Sequence, residues 1–144
     1  MDLKEPSGPP SLSPSLIGRV LDGRYRILSE LARGGMGRVY KAEQQPLGRP
    51  IALKVLEIGQ REGDEAESFR QRFFREAAIC AKLTHPNTVR IFDYGKTEDG
   101  IFFIAMELLE GLTLRQVLTS EAPLEPWRVI ELTLQICGSL AEAH

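Results

Sequence analysis

Three glycines fall within four residues at Gly34-Gly35-Met36-Gly37, and the runs on either side have the two-residue period of β-strands. Upstream, Tyr25, Ile27, Ser29 and Leu31 share one face while Arg26, Leu28 and Glu30 share the other. Downstream, Arg38–Glu43 reads as a second strand, so Ala32–Gly37 is the bend of a hairpin. Two common uses of clustered glycines are thereby excluded. A dinucleotide-binding turn needs its glycines to open a helix after a parallel strand, whereas Val39-Tyr40-Lys41-Ala42 continues as a strand. A Walker A loop needs Gly-Lys-Ser/Thr, which is absent. Two readings stay open: a flexible hairpin tip, or a flap whose backbone lies close over phosphates because no Cβ obstructs it.

The rest of the chain follows the same logic. A turn at Pro46–Pro50 and a β-rich run at Ile51–Leu56 extend the hairpin to a three-strand antiparallel meander. After a polar loop, Glu65–Leu83 lacks Gly and Pro and reads as a helix, stopped by Thr84-His85-Pro86-Asn87. Val89–Tyr94 and Ile101–Glu107 are two further strands joined by the turn Gly95–Gly100. Beyond Gly111, Thr113–Leu118 reads as a short helix and Pro126–His144 as a longer one, with Pro126 in its first turn. Residues 1–19, with Pro6, Pro9, Pro10 and Pro14 among serines, read as a disordered tail. The fold class is α+β.

Lys54 and Glu76 stand out against this frame. Ala52, Lys54 and Leu56 share one face of their strand and Ile51, Leu53 and Val55 the other. Such an unbroken apolar run suits a strand covered on both sides, where a lysine must reach solvent from an edge or find an anion. On the helix, Phe69, Phe73, Ala77, Cys80 and Leu83 form an apolar arc, and Glu76 falls inside it. A carboxylate facing a core is costly unless paired. Lys54 and Glu76 are therefore the natural pair, the alternative being that Glu76 sits at a wet edge of the arc.

Composition narrows the partners. With 18 Lys+Arg against 20 Asp+Glu and a net charge of −2, the chain has no electrostatic footprint for nucleic acid or an anionic membrane. No apolar run approaches the ~18–20 residues that span a bilayer, and Asp2, Lys4 and Glu5 followed by prolines make no secretory signal. Cys80 and Cys137 lack metal-ligand spacing, so no metal site is expected and a reducing, cytoplasmic setting is.

Taken together, Leu31-Ala32-Arg33-Gly34-Gly35-Met36-Gly37-Arg38-Val39-Tyr40, then Ile51-Ala52-Leu53-Lys54, then Arg75-Glu76 on a helix, resemble the N-terminal lobe of a protein kinase. His85-Pro86-Asn87-Thr88-Val89-Arg90 and Met106-Glu107-Leu108-Leu109-Glu110-Gly111 look like that family's helix-to-strand connection and hinge. The Gly-Gly-Met-Gly flap is most similar to those of bacterial, eukaryotic-like Ser/Thr kinases. The resemblance implies a five-stranded antiparallel sheet with one main helix, forming an N-lobe and hinge over residues 20–111. Residues 112–144 would then begin a helical C-lobe. It also implies ATP as ligand and a protein Ser or Thr as acceptor. Gly34, Gly35 and Gly37, with Ala32 where the family's first flap glycine usually stands, would let the flap cover the phosphates. Lys54 would hold the α- and β-phosphates and be oriented by Glu76. Leu31, Val39 and Ala52 would roof the adenine, Met106 would stand behind it, and Glu107 and Leu109 would offer hinge backbone groups.

No match to H-R-D-x-x-x-x-N or D-F-G follows Glu110, and Asp2, Asp22, Asp64, Asp93 and Asp99 are the only aspartates. Those motifs supply the family's base and Mg²⁺ ligands, so the expectation is a truncated kinase that binds ATP without transferring phosphate. The runner-up is a non-catalytic regulatory module. On either reading, the apolar face of the helix 126–144 awaits a missing C-lobe or a regulatory partner.

Overall fold

The computed structural model describes residues 15–34, 37–56 and 63–144, so Gly35 and most of the Pro/Ser-rich tail lie outside the described residues. In chain order the elements are β1 (Val20–Leu21), β2 (Tyr25–Gly34), β3 (Gly37–Gln44), β4 (Arg49–Leu56), α1 (Asp64–Cys80), β5 (Ile91–Lys96), β6 (Phe102–Glu107), α2 (Leu114–Glu121) and α3 (Pro126–Ala143). The strands form one six-stranded sheet in the order β1-β2-β3-β4-β6-β5, every neighbouring pair antiparallel. The expected five-stranded sheet is present, and β1, too short to show a period, adds a sixth strand at its edge.

β4 sits inside the sheet and buries both of its faces. Ile51, Leu53 and Val55 join Leu21, Tyr25, Ile27, Tyr40, Ala42, Phe103 and Ala105 in one core. Leu56, from the opposite face, joins Phe73 of α1 and Phe102 of β6 in a second. The first core lies inside the curl of the sheet, whose two ends meet over it. The Tyr25 hydroxyl donates to Asp93 of β5 at 2.8 Å, and Arg24 pairs with the same carboxylate at 2.7 Å. Residues 15–19, read from composition as the end of the tail, belong to this closure. Leu16 packs on the first core, Gly18 and Arg19 exchange backbone hydrogen bonds with Ile27, and Arg19 pairs with Asp99 at 2.6 Å.

The element boundaries differ from the sequence reading for local reasons. β2 and β3 stay paired down to Gly34 and Gly37, so the bend is tighter than Ala32–Gly37. α1 ends at Cys80 rather than Leu83 because Lys82 and Leu83 donate to Ile79 and Cys80, three residues back, which tightens and closes the helix. β5 starts at Ile91 rather than Val89 because Thr88 N–H bonds back to the His85 carbonyl in a turn. α2 runs to Glu121 behind a capping box in which Thr113 and Gln116 cap each other, a T-x-x-Q signal legible in the sequence.

The apolar arc of α1 is also shifted. Phe73 and Ala77 are buried, but Phe74 joins them, its ring 5.5 Å from that of Phe102 and 6.2 Å from that of Tyr94. Phe74 lies about 100° around the helix from Phe73. Counting it in turns the buried face away from Glu76 and Cys80, and both are exposed.

Burial, and then the bond to Asp93, push the Tyr25 hydroxyl from 10.0 up to about 12. Because the folded value is the higher one, this contribution is intact below pH ~10 and is lost as pH rises toward 12. The resistance of the wild type to urea should therefore fall over pH 10–12 relative to Tyr25→Phe. Parallel pH profiles for the two proteins would contradict the assignment.

Candidate functional site

Antiparallel pairing brings one set of the sequence-derived residues onto a single sheet face. Across the ladders Val39 of β3 stands opposite Lys54 of β4, Lys54 opposite Ile104 of β6, and Ala52 opposite Met106. Directly opposed residues point the same way, so Val39, Ala52, Lys54 and Met106 form a patch on the α1 side of the sheet. Ala52 is buried and the other three are half-buried. The lysine thus rises from an interior strand, which removes the edge-strand explanation for it.

Lys54 and Glu76 line one cavity of about 380 Å³ together with Leu56, Phe69, Phe73, Ala77, Cys80, Ile91 and Ile104. Arg72 adds a second cation to its wall. The two charges do not form an ion pair within 4.0 Å among the described residues, and Glu76 stands on the exposed rim of α1. The expectation of a core-facing glutamate is corrected accordingly: the half-buried Phe74 packs on the second core instead, and Glu76 reaches the cavity from its open side.

The flap residues divide by role. Gly34, Leu31 and Ala32 are exposed, and a Cβ on Gly34 would meet nothing within 4 Å. Gly37 is different. Its φ is +144°, and a Cβ there would lie 2.1 Å from the Val55 carbonyl oxygen and 3.0 Å from Leu56 Cα. The first requirement for this glycine is therefore the close approach of β3 to β4. Ala32 pairs with Val39 across the ladder beside a register shift at Glu30/Ala32, in extended strand where a methyl group is no burden.

At the other end of the patch, Glu107 is held twice by Arg90. Its N–H donates to the Arg90 carbonyl at 3.0 Å, and its carboxylate accepts from the Arg90 N–H at 2.8 Å. What Glu107 can offer a ligand edge is its carbonyl. Leu109 follows in exposed chain. The sequence reading missed a further group: Glu142 of α3, which accepts hydrogen bonds from Thr84 and His85 in the α1–β5 connection. Those bonds, the Thr84 N–H first, hold its carboxyl below the usual carboxylate range. The only sequence signal was a lone acid in the last turn of a helix, where the macrodipole disfavours it. Among the described residues no group of three or more His, Cys, Asp or Glu could hold a metal ion, and no helix is long and apolar enough to cross a membrane.

Residues 25–144 match the family model described as the protein kinase domain. The chain is 42% identical over 129 residues to serine/threonine-protein kinase PrkC of Bacillus subtilis, covering 90% of this chain and 19% of that protein. It is 37% identical over 128 residues to serine/threonine-protein kinase pkn3 of Myxococcus xanthus, covering 89% and 23%. The crystal structure of the Mycobacterium tuberculosis PknI kinase domain superposes with a TM-score of 0.72 at 31% identity, covering 88% of this chain and 51% of that one. The chain thus spans about a fifth of these curated relatives and about half of the solved kinase domain.

The two flap glycines provide a direct check of the geometry. Gly37→Ala forces backbone to move and should cost about 1–3 kcal/mol in urea unfolding. Gly34→Ala should stay within about 0.5 kcal/mol of wild type. Equal losses at both positions would contradict the close approach of β3 to β4.

Proposed function

Because this chain belongs to the protein kinase domain family, we propose that residues 20–111 are an ATP-binding N-lobe with its hinge and residues 112–144 the start of a C-lobe. The observation that carries this reading is the patch itself: a half-buried lysine flanked by Val39, Ala52 and Met106 on the α1 face of an interior strand. Such a surface, apolar with one placed cation, suits a flat heteroaromatic ring carrying phosphates. Lys54 Nζ binds phosphate oxygens as a point charge, and Val39 and Ala52 cover the ring. The Glu107 carbonyl and the backbone at Leu109 take the ring edge. Leu31, Ala32, Gly34, Gly35 and Gly37 belong to the flap above the phosphates. Glu76 orients Lys54 when α1 brings its carboxylate across the cavity that both side chains line.

The activity of the whole protein follows as transfer of the ATP γ-phosphoryl group to a protein Ser or Thr hydroxyl, as the names of the relatives suggest. Residues 1–144 contain no H-R-D or D-F-G match, the motifs that supply the family's base and Mg²⁺ ligands. On that reading this stretch alone binds nucleotide without transferring phosphate. In α3 no residue is buried, and Trp127, Ile130, Leu134 and Leu140 are each at least 57% exposed. The rest of a C-lobe is the cover that suits this face. The isolated, unpaired Cys80 and Cys137 suit a cytoplasmic setting.

Binding of a fluorescent ATP analogue, measured by titration, tests the reading. The wild-type chain should bind it and Lys54→Met should weaken binding at least tenfold, as loss of a phosphate-bound cation does, with thermal stability near wild type. Equal affinity of the two proteins would overturn the site. With labelled ATP, Mg²⁺ and a basic protein substrate, no Lys54-dependent incorporation is expected from this stretch.

A further inference from the structure

Glu142 stands in the last turn of α3, where a negative charge works against the helix dipole, and its contacts all lie outside the helix. Its carboxylate accepts from the Thr84 N–H at 3.0 and 3.1 Å, from Thr84 Oγ1 at 3.0 Å and from the His85 N–H at 2.8 Å. These are charge-assisted bonds, the stronger kind. They bind the segment that follows the end of α1, the helix that bears Glu76. One turn back, Gly138 lets the His85 ring settle on α3, since a Cβ there would lie 2.8 Å from Nε2. Beside it, Thr88 Oγ1 and Ser139 Oγ are 2.5 Å apart, and Asn87 donates to Gln135 at 3.1 Å. The same segment then reaches Arg90, whose backbone is clasped by Glu107 in the strand that ends the nucleotide patch.

We propose that Glu142 is a positioning residue for the nucleotide site: by holding Thr84 and His85 against α3, it fixes the 83–90 connection that sets both the end of α1 and Glu107. The inference rests on the ATP-binding reading for its effect on affinity, but not for its effect on the backbone. Two carboxylates, Glu142 at one end and Glu107 at the other, cap backbone donors of a single short connection. Loosening one end therefore passes to the other through a few residues of packed chain rather than through the whole domain.

The test uses the 144-residue chain, with amide hydrogen exchange, thermal unfolding and titration with the fluorescent ATP analogue. Glu142→Ala should speed exchange at Thr84 and His85 at least tenfold and also at Arg90 and Glu107. It should weaken the analogue several-fold at temperatures well below unfolding. Glu142→Gln, which keeps the shape and one acceptor oxygen, should restore part of both. Gly138→Ala provides a second route, since alanine favours α3 itself while its methyl group displaces the His85 ring. It should speed exchange at Glu107 although the helix is strengthened. Faster exchange confined to Thr84 and His85, with Arg90 and Glu107 unchanged in every variant, would overturn the proposal. Should the wild type fail to bind the analogue, the ATP reading falls, and spread or confinement of exchange still decides the role of Glu142.

Discussion

The fold depends on one strand having no free face. β4 sends Ile51, Leu53 and Val55 into the core enclosed by the curled sheet and Ala52 and Leu56 toward α1. Each alternate residue is committed, so a one-residue slip would exchange the two cores and place Lys54 among Tyr40, Phe103 and Ala105. That penalty fixes the register of β3 and β6 on either side of β4. The register in turn is what sets Val39 and Met106 beside Lys54. The arrangement of the patch is thus a by-product of the packing on both faces of β4.

Much of this was legible from residue order. The period-two runs and the glycines required a hairpin, and the apolar run through Ile51–Leu56 required a strand covered on both sides. Lys54 was conspicuous for the same reason it is half-buried: no other position in that run carries a charge. The position of Glu76 was less legible. Helical periodicity places residues around an axis but does not say which side faces the sheet, and two adjacent phenylalanines leave that choice to the partners. Phe102 and Tyr94 settle it in favour of Phe74, and these lie some 20 to 30 residues away in strands not yet placed when the helix is read.

The groups that the sequence did not disclose share a physical character. Glu142, Gly138, Arg90 and the Glu107 side chain act through backbone donors, acceptors and close approach, and any sequence can supply a backbone. Gly37 is an instructive mixture. Its place in a glycine cluster suggested a role over phosphates, while its φ and the nearby Val55 carbonyl show a structural demand that holds without any ligand. A single glycine can meet both demands, because each asks only that a side chain be absent.

The anchoring of Leu16, Leu21 and Arg19 has a consequence for where the folding unit begins. The family model starts at Tyr25, yet Leu21 is 1% exposed and Leu16 leans on the same core. A family model marks the stretch shared across a family; burial marks the stretch that packs together. Here the second is longer than the first by most of ten residues. A gene trimmed to the stretch the family model covers would leave Ile27 without its backbone partners at Gly18 and Arg19 and a greasy notch beside Tyr25, a surface suited to sticking to other copies rather than staying in solution.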